Sequence, residues 1–165
     1  MPNRLVLPAL VLPASLAAQT LAVAFPDEHR VLLFDGRTYD SLASVPVGQT
    51  PHEIAPSPDG RYFYVGNTGA SGEPKRHSIT RIAVAEPART SAIDVGECPG
   101  LHDLQVSRSG ALLWVGCARA PAVAEIELAT GTQRPRWPIA LDGGWLSRGA
   151  GTSDGCSWPI SRARG

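Results

Sequence analysis

The chain has 165 residues, enough for one domain with a real core. Its 15 Lys+Arg balance 15 Asp+Glu, so the formal net charge is zero, which gives no electrostatic reason to expect nucleic acid or an anionic membrane as partner. Charged residues make up 18% and hydrophobic residues 43%, with 17 Gly and 15 Pro; this composition argues against disorder and long helices and favours short strands joined by turns.

At the N-terminus, Arg4 precedes an apolar run from Leu5 to Ala18, and Ser15 and Ala17 offer the small-x-small pattern of a signal-peptidase site. The run is about 14 residues long, short of the roughly 20 needed to span a bilayer, and Pro8 and Pro13 oppose a membrane helix. Residues 1–18 are expected to be a signal peptide, with cleavage after Ala17 or Ala18 leaving a periplasmic or extracellular protein without a membrane span. The competing reading is a buried first element of the domain.

Three strands come next: Leu21–Phe25, Arg30–Asp35 and Ser41–Val47. A repeat then carries the fold. The Val47-Gly48 pair recurs as Val95-Gly96, 48 residues on, and the segment from His52 to Asn67 recurs from His102 to Cys117 at an offset of 50. Each copy has a serine–glycine turn, Ser57 to Gly60 and Ser107 to Gly110, before an apolar strand. A third strand follows each copy, Ser78–Val84 and Ala122–Leu128, and then a fourth, Ser91–Val95 and, less clearly, Arg134–Ala140. A period in the forties with four short strands per unit is the pattern of a β-propeller blade. The expected fold is therefore all-β, a partial propeller of four-stranded antiparallel blades over residues 20–145. The first unit lacks its innermost strand, and residues 146–165 are small, polar and aperiodic, an irregular tail.

Cys98 lies just before one strand of a hairpin and Cys117 ends the next, so the two thiols can meet in an oxidising compartment. Two separate small apolar residues is the equal alternative. Cys156 falls in the tail.

The phrase from Pro51 to Asn67, with Pro51-His52, Ser57-Pro58-Asp59-Gly60-Arg61 and Tyr64-Val65 in place, resembles the YVTN family of β-propeller repeats. The turn Glu127 to Gly131 is similar to that family's Asp-Leu-x-Thr-Gly turn. Glu53 and Asp103 stand where the family has glycine after histidine, and Gly66 where it has threonine. Family members usually carry about seven blades and this chain about three. The open ends would leave apolar faces and unpaired edges that invite self-association. The abrupt loss of pattern in the tail favours a truncated relative over a ring completed between chains.

His52 and His102 take equivalent places at the start of innermost strands, near one mouth of the channel that the resemblance implies. Asn67 ends the neighbouring strand close to the same mouth. Strand alternation aligns His52 with Ile54, and His102 with Leu104 and Val106, on the apolar face, and sends Glu53 and Asp103 to the opposite face. The family repeats the histidine blade after blade, which implies a structural role. Metal ligation or acid–base work is the alternative for the histidines, and Glu53, Asn67 and Asp103 complete the ligand-binding candidates, with cation binding by the two acids set against a solvated-carboxylate reading. His29 and His77 sit in connecting loops, and the polar loop Gly69–His77 offers a possible binding surface or a solvated insertion.

No phosphate-binding loop, Cys-x-x-Cys pair or His-Glu-x-x-His motif occurs. Two functions remain. The first is an exported binding or scaffold module for a protein or small molecule, with no cofactor. The second is a lactonase-like propeller enzyme holding a divalent metal at the channel mouth, an activity that resemblance alone implies.

Overall fold

Period-2 patterning gives each hairpin of the repeat two apolar faces, so a sheet of this kind needs a neighbour on both sides. The computed structural model describes residues 19–69, 77–96, 98–120 and 122–138 and meets that requirement by stacking three antiparallel sheets. The first contains β1 (Thr20–Phe25), β2 (Arg30–Asp35) and β3 (Ser41–Pro46) in that order. The second runs β4 (Pro51–Pro56), β5 (Tyr62–Asn67), β6 (Ser78–Ala83) and β7 (Thr90–Asp94). The third runs β8 (Leu101–Val106), β9 (Leu112–Cys117) and β10 (Ala122–Glu127), with the short strands β11 (Thr132–Gln133) and β12 (Trp137–Pro138) both paired to β10. A 3-10 turn at Pro26–Glu28 is the sole helical element among the described residues, and none of their helices could cross a membrane.

Two core layers lie between the sheets. Val31, Leu33 and Val45 of the first sheet pack on Phe63, Val65 and Ile82 of the second. Tyr64, Ile79 and Ile93, on the other face of the second sheet, pack on Leu101, Leu104, Leu113 and Val115 of the third. Alternate residues of β5 thus serve different layers, which is why the strand is buried nearly throughout. Gly66 belongs to this second layer, because a Cβ there would lie 2.5 Å from Leu101 Cδ2 and 3.3 Å from Leu104 Cδ1.

The turns close the hairpins by side-chain hydrogen bonding. Ser57 Oγ accepts the Tyr62 N–H (2.9 Å) and donates to Asp59 Oδ1 (2.6 Å), and the Arg61 N–H donates to the same carboxylate oxygen (3.0 Å). The Ser57 hydroxyl first, then the Arg61 amide, hold the Asp59 carboxyl below its usual range. The second copy repeats the device: Ser107 Oγ accepts the Leu112 N–H at 3.0 Å. Gly60 and Gly110 both take a left-handed φ, +69° and +75°, as the turn demands.

The first sheet has three strands, with β1 paired only to β2. Leu21 and Val23 lie opposite Phe34 and Leu32 in register and are each 43% exposed. They face away from the second sheet. The fourth strand expected at Arg134–Ala140 is instead two short pieces flanking Arg134 to Arg136, since Pro135 has no N–H to extend a ladder. The chain is pinned there by the Arg134 N–H donating to the Glu125 carbonyl (2.8 Å) and by an ion pair between Arg134 and the buried Glu125 carboxylate, which also accepts the Trp114 indole N–H.

Cys98 and Cys117 are joined in a disulfide, with their Cα atoms 4.9 Å apart and both sulfurs in the layer between the second and third sheets. The expected signal peptide, most of the Gly69–His77 loop, Cys156 and the expected tail lie outside the described residues.

Two results are expected from this packing. Gly66→Thr, which supplies the residue typical of the resembled repeat, overpacks the layer against Leu101 and lowers unfolding free energy by about 1–3 kcal/mol; an unchanged urea midpoint would contradict the close approach. Reducing the disulfide, which closes a loop with a sequence separation of 19, costs about 2–4 kcal/mol. Urea melts with and without reductant, with thiol counting by mass, measure it.

Candidate functional site

The histidines of the repeat come together where both inner strands break their own alternation, within one residue of equivalent positions. In β4, Pro51 pairs with Asn67 and Glu53 with Gly66, so His52 is an extra residue without a ladder partner. In β8, His102 pairs with Gly116 and Leu104 with Val115, and Asp103 is the extra residue. Bulges of this kind re-aim the side chains around them.

The bulges overturn simple alternation. Glu53 does not turn away from the histidines. Its Oε1 is 3.0 Å from His52 Nδ1 and 3.4 Å from His102 Nδ1. The two imidazoles meet edge to face, with centroids 4.7 Å apart and planes at 68°. Nor does His52 share a packed apolar face with Ile54, since its side chain is 49% exposed, against 31% for His102 and 28% for Glu53. Each of the three residues offers a ligand atom, and these atoms lie within 4.8 Å of one another. The site draws on two sheets, because β4 and β8 run beside each other.

Asp103 and Asn67 do other things. Asp103 takes a left-handed backbone, φ +57°, which explains why a glycine suits this place in the resembled repeat and why a short polar residue tolerates it. Asn67 is fully buried, and its amide nitrogen donates to Ser78 O, Ser78 Oγ and Thr80 Oγ1 at 3.0–3.2 Å. Its side chain also fills the space beside Gly48. It ties β5 to β6 and takes no part in the histidine cluster. His29 Nδ1 accepts the Thr50 N–H at 3.2 Å, a loop-fixing role.

A second surface feature is set by strand register. Arg61 and Arg81 place their guanidinium carbons 5.7 and 5.0 Å from the Tyr62 ring centroid. They line a shallow groove of about 570 Å³ that continues to Arg89. Arg81 is visible in the sequence as a charge inside an apolar strand, but its approach to Tyr62 depends on strand register.

Neither a family model nor a curated protein matches the chain. Solved structures do. Kuenenia stuttgartiensis hydrazine synthase matches at 22% identity and TM-score 0.65, covering 75% of this chain and 34% of that one. Dihydro-heme d1 dehydrogenase NirN in complex with DHE matches at 21% identity and TM-score 0.59, covering 81% and 28%. These neighbours contain β-propellers, as the stacked sheets do in part. The fold is a partial β-propeller. At these identities the likeness concerns the fold, and the chain spans about a third or less of each neighbour's length. Within the propeller, the three sheets are blades, and His52, Glu53 and His102 lie where the inner strands of the second and third blades begin.

The two kinds of residue separate by mutation. Asn67→Ala removes the amide's hydrogen bonding to Ser78 and to the buried Thr80, and should cost about 2–3 kcal/mol in urea unfolding. His52→Ala, on an exposed side chain, should stay within about 0.5 kcal/mol of the native chain. A reversal of that order would place the structural role on the histidine.

Proposed function

We propose that the chain is an exported β-propeller repeat module of the YVTN type that serves as a binding or scaffold domain. Its ligand, a protein or a small molecule, docks at the rim where β4 and β8 begin. The observation that carries this reading is the convergence of His52, Glu53 and His102 from two blades, with His52 exposed and the other two partly so, held on strands rather than on loops. Together they offer hydrogen-bond donors and acceptors at one spot.

Export is supported by the N-terminal pattern and by the Cys98–Cys117 disulfide, which suits an oxidising compartment. Residues 1–18 are then the segment removed on export, residues 20–145 the blades and residues 146–165 an appended tail. The half-exposed Leu21 and Val23 favour a first blade that packs on further blades or on a second copy. A lactonase-like enzyme is the second reading. What favours it is that two imidazoles and a carboxylate meet at an open rim, a donor set able to hold a catalytic metal.

Two measurements test these readings. Expression of residues 1–165 in a secreting bacterium should yield a periplasmic or extracellular chain whose mass has lost 17 or 18 residues; an uncleaved cytoplasmic chain would remove the export claim. A thermal-shift screen of sugar acids, lactones and short peptides should give at least one ligand that raises Tm for the native chain and not for the His52→Ala/His102→Ala variant. Hydrolysis of a sugar lactone by the native chain, lost in Glu53→Gln, would transfer the conclusion to the enzyme.

A further inference from the structure

The rim cluster has a more specific chemistry than hydrogen bonding. We propose that His52, Glu53 and His102 bind one divalent first-row transition ion, with Zn(II) the type case, across the junction of the second and third blades. The inference rests on the rim being a binding site and adds the class of ligand.

The donor set comes first. Two imidazoles with one carboxylate suit Zn, Cu, Ni or Fe, whereas Ca and Mg select oxygen ligands. Spacing is the second point. With metal–ligand bonds of about 2.1 Å, two ligands of one ion stand at most about 4.2 Å apart. The three ligand atoms here lie within 4.8 Å of one another, so small side-chain rotations close the set. Glu53 Oε1 already sits between the two rings, at 3.0 and 3.4 Å from their Nδ1 atoms. An ion there would take the place of the proton in the hydrogen bond between His52 Nδ1 and Glu53 Oε1.

The backbone supplies the third point. His52 is the bulged residue of one hydrogen-bonded inner strand and His102 flanks the bulge of the other, so their positions are set by sheets and not by loop closure. The site is also partly open, with His52 about half exposed. Three protein ligands and an open side leave a coordination position for water or for an exogenous ligand. Because the ligands come from two blades, the ion binds only when those blades are packed. It should therefore raise the unfolding temperature in proportion to the logarithm of its concentration.

The test uses the full chain, without a histidine tag, in metal-free buffer. Calorimetric titration with ZnCl2 should give one ion per chain, and MgCl2 or CaCl2 should give no comparable binding. His52→Ala, His102→Ala and the isosteric Glu53→Gln should each weaken Zn(II) binding at least tenfold. His29→Asn, which changes a histidine outside the cluster, should leave it within twofold. Circular dichroism checks that each variant keeps its β-sheet signal. Co(II) in place of Zn(II) should give a visible absorption band in the native chain that His102→Ala removes.

No saturable Zn(II) binding, or binding that neither histidine variant alters, overturns the proposal. If organic ligands still stabilise the native chain and not the double histidine variant, the rim remains a binding site and only the metal is wrong. If neither metal nor organic ligand binds, both readings fall.

Discussion

Face-to-face burial of the second sheet holds the described structure together. Its alternate residues send Phe63 and Val65 into one layer and Tyr64 into the other, and each layer is completed by a different neighbour. Such a sheet gains little from its own hairpins, since a two-sided apolar sheet is stable only when both sides are covered. The same logic makes the first sheet's outward Leu21 and Val23 conspicuous, because they present the kind of surface that a neighbouring blade buries elsewhere in the stack. Burying such side chains is worth about 1.5–3 kcal/mol each.

The close approach of blades also sets the geometry of the rim. Gly66 has no Cβ, so Leu101 and Leu104 can come directly against β5. That brings β8 alongside β4, and only then do His52 and His102 approach to 4.7 Å between ring centroids. A glycine on one strand thus helps to position two imidazoles at the end of others. The bulges complete the arrangement, since regular alternation would leave Glu53 on the far face.

Local devices hold the parts in place at little cost to the core. The serine turns replace missing ladder bonds with hydroxyl bonds, and the disulfide fixes the segment leading into β8 against the end of β9. Glu125, buried mid-strand, keeps its charge company with Arg134 and the Trp114 indole, which satisfies it where the fourth strand of its blade is broken. Removing one partner of such a set leaves an unpaired buried charge, a penalty larger than the pair's own net contribution.

The amino-acid sequence by itself determined the repeat, the all-β class, the order of nearly every strand and the turns at Ser57 and Ser107, because period-2 patterning and turn chemistry are local properties. It also brought Cys98 and Cys117 to adjacent strand ends, leaving open whether they bond. It could not place Glu53 between the histidines. A bulge inserts one residue into a ladder, and where it falls depends on pairing with the neighbouring strand, so reading alternation straight through His52 and Asp103 assigned the wrong faces. Asn67 depends on tertiary structure for a related reason: its position at a strand end is legible, but the turn of its amide onto Ser78 and Thr80 is decided by packing beside Gly48. The contact between His52 and His102, 50 residues apart, exists only because two blades stack, and that belongs to the tertiary structure alone.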